Sequence, residues 1–417
     1  EISAIHANHV VLMPVVAQRV SARTGIPYAV MPHGSGIEYA AKKDERFHRY
    51  ASSALTDARR IFVIGSEMRT RVSSVFAGVP ALESKFTELH LGVDASQFAP
   101  VDTHERAGNI ALLEKSLAGV PRGKKTVQSA EMLREVSGVV RRRELKSLFE
   151  NGSRYDGKSP DADVEQKLRS IDWDHDPVLL FTGRIISPKG IQSVVAALPF
   201  ILEQKPDLRL IVVGHGPLRE PMEAFVKGLQ SGDIALVRNI TAWGRWLEGS
   251  PEGVEATEDL TELTHFFDRL RESNDEDRYF ETARRHIKRD TVIFTGYLTH
   301  EQLRFLFPCA DVGVFPSIVR EAGPLVFLEA LASGCFPLGT YFGGMAVSID
   351  SVSRGLPPEV GETMKLGLNE TVKDLIEHVP RALELGPVHK HALARVARDR
   401  YDWTSVAKTL REQLRAI

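Results

Sequence analysis

Two carboxylates, Glu321 and Glu329, and two cations, Arg184 and Lys189, carry most of the chemistry this sequence can support. Glu321 opens the run Glu321-Ala322-Gly323-Pro324-Leu325-Val326-Phe327-Leu328-Glu329-Ala330. Pro324 suits the first turn of a helix and Gly334 suits its C-terminal stop. That places Glu321 in the loop beside the helix N-terminus and Glu329 within the helix. The neighbours of Glu329, Leu325 to Leu328 and Leu331, are apolar, so its carboxylate needs a hydrogen-bonding partner. The hydroxyls of a ribose would serve; so would local backbone or a core arginine.

Arg184 and Lys189 stand in Thr182-Gly183-Arg184-Ile185-Ile186-Ser187-Pro188-Lys189-Gly190, directly after an apolar run that reads as a strand. Two cations at a strand end and ahead of a helix can converge on a diphosphate, one as a planar fork and one as a point charge. The amides of the helix beginning near Gly190 would add to the attraction. The other reading is a pair of surface charges. The spacing GxxxxGK[ST] is absent, which excludes a P-loop. Gly214-His215-Gly216-Pro217 also follows a strand but lacks the third glycine of the dinucleotide fingerprint, so it reads as a close approach of backbone to a nucleotide. Thr295-Gly296-Tyr297 closes the next strand and can offer backbone groups to a base.

His33, in Pro32-His33-Gly34, ends an early strand where a sugar held by another domain would face it, although a lone histidine is more often structural. His6 and His9 have a spacing a metal can use, but no acid or thiol lies nearby in sequence. Asp172, Asp174 and Asp176 lack the glycine and distal glutamate of a calcium loop and read as solvated acids. No metal site is expected. Neither GxSxG nor a cysteine–histidine nucleophile pair is present.

These residues need elements that bring strand ends together. From the start, short apolar runs alternate with amphipathic segments: strands at 2–7, 28–31 and 61–64, and helices at 13–23, 44–59 and 67–77. Val15, Val16 and Val20 are expected to form the buried face of the first helix. A second series gives strands at 178–182, 208–213, 291–295, 312–315 and 336–338, with helices beginning near Gly190, His300 and Pro324. Alternation of this kind predicts parallel βαβ units, and ligands in such sheets bind beyond the carboxyl ends of the strands.

Between the two series, residues 101–176 read as a linker and helical insertion, with Arg141-Arg142-Arg143 on a solvated helix face. Residues 221–290 are too long for a structureless loop and read as a second helical insertion, carrying Trp243, Trp246 and Asp275-Glu276-Asp277. After Tyr401-Asp402-Trp403, a last helix sets Val406, Leu410, Leu414 and Ile417 on one stripe. The fold class is thus α/β, with two Rossmann-like doubly wound domains at 1–100 and 177–400. The chain opens at Glu1 on a strand pattern without methionine or polar leader, so the first domain is expected to be incomplete.

A length of 417 residues accommodates two domains. Apolar residues at 43 % and charged residues at 26 % are ordinary for a water-soluble globular protein. A net charge of -2 provides no field to gather nucleic acid or an anionic membrane. Cys309 and Cys335, the two cysteines, cannot build a disulfide framework, which fits a reducing, cytoplasmic setting. No run approaches the ~20 apolar residues of a membrane span. Peripheral contact with a membrane stays open.

Taken in order, these motifs resemble the retaining glycosyltransferases of family 4, which have the GT-B fold. The likeness runs from His33-Gly34 through Gly92-Val93-Asp94 and Phe98 to Gly183-Arg184 and Lys189-Gly190. It continues through Gly214-His215-Gly216-Pro217, Phe294-Thr295-Gly296, the pair Glu321 and Glu329, and Tyr401-Asp402-Trp403. It covers most of the chain outside the two insertions.

The resemblance implies that residues 177–400 bind a nucleotide sugar, that the first domain faces the acceptor, and that residues 401–417 cross back to it. Arg184 and Lys189 would hold the donor diphosphate, and Glu329 the ribose. Glu321, the amides around Gly323, Pro324 and Leu325, and Gly343-Gly344 would meet the transferred sugar. His33 would reach that sugar across the cleft. Gly183, Gly214, Gly216, Thr295, Gly296 and Tyr297 complete the expected donor site. No cofactor or metal is implied beyond the donor itself, and the acceptor is a carbohydrate, a lipid or a small molecule. Three departures stand out. Pro324 replaces a usual glycine, both insertions are long, and the family's first βα units with their glycine-rich loop have no counterpart before Glu1. A phosphorylase or nucleotide-sugar epimerase of the same fold, or a non-catalytic nucleotide-sugar-binding subunit, is the alternative; an NAD-dependent oxidoreductase is more distant.

Overall fold

The computed structural model describes residues 2–249, 257–321, 323 and 325–417. Strands β1 (Ile5–Asn8), β2 (Tyr28–Met31), β3 (Arg60–Val63) and β4 (Phe86–Glu88) form a parallel sheet in the order β1-β2-β3-β4. Every crossover steps the same way, so connections of one hand lay their helices on one face. On that face Ala7, Tyr28, Val30, Ile61 and Val63 meet Ala17, Leu55, Met68 and Val72 of the helices Met13–Thr24, Glu45–Asp57 and Ser66–Val75.

The alternate residues of the same strands point the other way. Ala29, Met31, Phe62 and Leu89 form a separate cluster closed by Val406, with Leu410, Leu414 and Ile417 packed against it. The helix Trp403–Arg415 therefore returns from the far end of the sequence to cover the face that the local crossovers leave bare. Its start is fixed by the Asp402 carboxylate, which accepts the Thr404 amide, and by Val93, whose amide and carbonyl bond Tyr401 and Trp403. The expected stripe of hydrophobics on this helix is correct. The expected stripe on the first helix is not. Pro14 and Ala17 are buried there, whereas Val16 is 55 % exposed. In this rotation Gln18 donates from Nε2 to Ser53 and to Asp57 at 2.6 Å on the neighbouring helix.

The second sheet comprises β5 (Val178–Thr182), β6 (Arg209–Val213), β7 (Val292–Gly296), β8 (Val312–Phe315), β9 (Phe336–Thr340) and β10 (Lys365–Leu366). All pairs are parallel, in the order β10-β9-β8-β5-β6-β7. The order reverses at β5, which makes the gap between β5 and β8 the topological switch point. Two residues are too few for β10 to show a periodic pattern, and it was not expected.

Residues 101–176 contain the helices Arg106–Ser116, Thr126–Glu135, Arg142–Gly152 and Val164–Leu168. They do more than link. Leu113, Leu145, Phe149, Leu168 and Trp173 share one core with the second sheet, and Arg106 grips Asp311 with two nitrogens at 2.5 and 3.2 Å. Asp176, read as a solvated acid, is buried and accepts Arg209 Nε at 2.8 Å. Arg141, Arg142 and Arg143 are exposed as expected, although Arg142 also has partners. It lies 4.8 Å from the Trp246 ring centroid and pairs with Glu258 at 2.7 Å. The helices Arg219–Ser231, Ile234–Glu248, Thr261–Glu272 and Glu276–His286 join the same core. Both cysteines are buried and free, and among the described residues no helix is long and apolar enough to cross a membrane.

Candidate active site

Two loops leave the switch point, one after β5 and one after β8. They touch because residue 190 is a glycine. Its φ is 76°, and a Cβ there would collide with the Pro316 carbonyl. The Ile318 amide and the Ser317 hydroxyl both donate to Pro188 O at 3.0 Å. The contact delivers Lys189 Nζ onto Glu321 Oε1, which also accepts Ser317 Oγ at 2.7 Å. Glu321 O accepts the Gly344 amide at 2.8 Å, and Gly343 lies against the Arg320 side chain. Lys189, Glu321, Gly343 and Gly344 are thus brought together as expected. Arg184, next to them in the β5 loop, is exposed and carries no ion pair among the described residues.

Glu329 occupies the helix Leu325–Ala332 and is only 6 % exposed. One carboxylate oxygen lies 2.7 Å from His300 Nδ1; the other is buried without a hydrogen-bond partner among the described residues. Neither a core arginine nor local backbone satisfies it. His300 begins the helix His300–Leu306, and no sequence spacing links it to Glu329. The hydrogen bond to Glu329, opposed by burial, raises the His300 pKa above its ordinary value. An orphaned carboxylate oxygen is costly when buried, and a donor from a bound molecule would relieve it.

The ends of β6 and β7 correct two expectations. Gly214 and Gly216 do make close backbone approaches, but to the β5 loop: a Cβ on either would collide with the carbonyls of Gly183 and Ile185. Ile185 N donates to His215 O at 2.8 Å and Gly214 N to Gly296 O at 2.9 Å. At Thr295-Gly296-Tyr297 the backbone is already engaged. Asp161 N donates to Thr295 O at 2.8 Å, Tyr297 N donates to Ser159 O at 3.2 Å, and Gly296 abuts Ser159 and Asp161. These groups bond the chain itself, so they are not free to read a base. Above them, the rings of His215 and Tyr297 meet edge to face at 5.8 Å. Burial, then Lys158 and Arg184, push the His215 imidazole towards its neutral form.

On the far side of the site, Gly323 leans on Leu91 and Ile64 of the first domain. Leu325 is partly exposed, and Pro324 lies outside the described residues. His33 sits at the carboxyl end of β2, half-buried, with Nε2 3.2 Å from Asn8 Oδ1 and its ring 4.6 Å from that of His9. Burial, His9 and His6 lower its pKa. These partners all belong to the first domain, so His33 is not in contact with the Lys189–Glu321 pair. Among the described residues no group of three or more His, Cys, Asp or Glu side chains could hold a metal. What the switch point does assemble is a set of cations and amides beside two carboxylates, which suits binding an anion carrying hydroxyl groups.

Residues 268–379 match the family model described as glycosyl transferases group 1. An uncharacterized glycosyltransferase of Methanocaldococcus jannaschii is 23 % identical over 203 residues, 48 % of this chain and 37 % of its own length. The chain spans about two-fifths of the curated relatives it matches, from 37 to 41 % of their lengths. Sucrose-phosphate synthase from Thermosynechococcus elongatus superimposes with a TM-score of 0.54 at 16 % identity, covering 99 % of this chain and 73 % of that one. Anabaena HepE in complex with UDP gives 0.52 at 14 % identity, covering 100 % and 79 %. The architecture is GT-B, and the group 1 match takes in β7 to β10, four of the six strands of the second sheet.

Proposed function

We propose that the chain is a retaining glycosyltransferase of family 4 that takes sugar from a nucleotide-diphosphate donor without a metal and passes it to a carbohydrate, lipid or small-molecule acceptor. The observation that carries this reading is the switch point, where Lys189 is joined to Glu321 and the buried Glu329 keeps one oxygen unpartnered. In this reading Arg184 and Lys189 neutralise the diphosphate as the glycosidic bond breaks, so preorganised protein cations supply the electrostatic stabilisation. Glu329 accepts a ribose hydroxyl. Glu321, once Lys189 turns to the phosphate, is released to the sugar, and Gly343-Gly344 present backbone to it. Rotation of the domains about the crossing at Tyr401–Trp403 would bring His33 to the sugar. The group 1 match and the GT-B architecture support transfer as the reaction class.

The test is a panel of UDP-, GDP-, ADP- and dTDP-sugars with candidate acceptors, scored for transfer by wild type, Arg184→Ala and Lys189→Ala. Transfer with retained anomeric configuration, insensitive to EDTA and abolished in both folded variants, is expected. Unchanged turnover in both variants, or strict dependence on a divalent metal, would sink the assignment.

A further inference from the structure

A short loop of the 101–176 segment, Asp156-Gly157-Lys158-Ser159, runs from the outer edge of β7 to His215 at the end of β6, and a buried charge network holds it there. The segment 159–161 is bonded along one side to the end of β7, through Asp161 N and Ser159 O. On its other side Gly123 N donates to Pro160 O at 2.7 Å, and Ala162 N to Lys124 O at 2.9 Å. Both flanks of the loop are then clamped to the first turns of the helix Arg219–Ser231, which begins immediately after the Gly214-His215-Gly216-Pro217-Leu218 turn. Asp161 takes two nitrogens of Arg219 at 2.8 and 2.6 Å, and the Tyr155 hydroxyl donates to Glu220 at 2.9 Å. Lys124 bridges Glu220 and Glu223 at 2.9 and 2.8 Å, and Lys167 adds a bond to Asp161 at 2.7 Å. Arg219, Asp161 and Lys124 are each 1 % exposed.

Such a network is an expensive way to gain stability, since apolar residues of similar size would do as well. Its geometric effect is to fix the loop. Inside the loop, Asp156 ties Lys158 N at 3.0 Å and Ser159 Oγ at 2.5 Å, so the turn that presents Lys158 is closed on itself. Gly157 lies against His215, where a Cβ would come within 3.3 Å of Nδ1. Lys158 follows Gly157 in this turn and Arg184 precedes Ile185, whose amide donates to His215 O, so the two cations approach the same histidine from two different segments; both are exposed without ion-pair partners among the described residues.

We propose that this loop is the third wall of the donor site and that Lys158 is a further cation for the diphosphate, acting with Arg184 across His215. The inference rests on the donor-site reading above. It would also give the 101–176 segment a function of its own, since Gly157 and the segment 159–161 pack against His215 and Thr295–Tyr297 at the ends of β6 and β7.

Isothermal titration with UDP, GDP, ADP and inorganic pyrophosphate tests this on wild type, Lys158→Ala and Arg184→Ala, with thermal unfolding of each as a control. Lys158→Ala is expected to weaken the preferred nucleotide and pyrophosphate alike, about tenfold, without lowering the melting temperature. If Lys158→Ala binds both within about twofold of wild type while Arg184→Ala is impaired, the inference is overturned and the donor-site reading stands. A loss confined to nucleotides, with pyrophosphate unaffected, overturns it too, because Lys158 would then meet the nucleoside. If Arg184→Ala is also unimpaired, or wild type binds none of the four ligands, the donor-site reading itself falls, and the inference with it.

Discussion

Glu329 and His300 share a hydrogen bond of 2.7 Å that joins the middle of one helix to the first residue of another. The bond raises the folded-state pKa of His300 above its unfolded value. Its contribution to stability is therefore fully present below about pH 6.5 and is lost as pH rises through the raised folded value. The His300 side chain is largely exposed, so the effect on melting should be small. The titration itself is the sharper readout. Glu329→Gln should move the His300 midpoint down towards the ordinary histidine range, followed by NMR of the imidazole; an unmoved midpoint would mean that the contact does not persist in solution.

The unpartnered oxygen of Glu329 makes a separate demand. If a ribose hydroxyl donates to it, Glu329→Ala should weaken a nucleoside diphosphate by one to two powers of ten, about 1.5–3 kcal/mol for a hydrogen bond to a charged group. Pyrophosphate, which has no ribose, should bind as in wild type. Equal losses for both ligands in a titration would place Glu329 elsewhere in the site.

Removing one member of the buried network should be severe. Arg219→Met leaves Asp161 and Glu223 short of a partner in the interior, and breaking such a pair costs about 3–5 kcal/mol. Burial works against charge on Glu223, but Lys124 and Arg219 outweigh it and hold that carboxyl low, so the variant takes away one of the two cations that keep it charged. Denaturant unfolding reads the loss directly. A variant within about 1 kcal/mol of wild type would show that the network relaxes or admits water.

At the other end of the molecule, Leu410→Asp should peel the last helix from the first sheet without touching the second. Leu410 packs on a cluster containing Met31, Phe62 and Leu89. Faster proteolysis of the 403–417 region, and new binding of a hydrophobic dye, are the expected signs. Retention of both wild-type behaviours would mean that Val406 and Leu414 suffice to hold the helix.

The sequence displays its strands most clearly where they are buried on both faces. Val178-Leu179-Leu180-Phe181 is such a run, and β5 lies where it was expected. That Lys189 and Glu321 lie near one another agrees with the shared site the family resemblance implies, since both sit at ends of strands, but their direct bond was not legible. Glycines were a poorer guide. Gly214, Gly216 and Gly296 signal close approach, yet a glycine does not say what approaches it, and here neighbouring loops fill the space. The partner of Glu329, the Ser159–Tyr297 bond and the burial of Asp176 depend on contacts between residues far apart in the chain. No local pattern encodes these. The polar, irregular look of 101–176 hid the buried network, because Lys124 and Asp161, like Glu220 beyond the segment, carry no local sign that they are buried.

The last helix has a consequence for how the protein is made. A ribosome delivers the first sheet early, with one face already furnished by its own helices. The opposite face, bearing Ala29, Met31, Phe62 and Leu89, packs on the helix Trp403–Arg415, which is synthesised only after the whole second sheet. Until that helix emerges its contact with these side chains is missing and they are more exposed, the circumstance in which general chaperones bind and nascent chains aggregate.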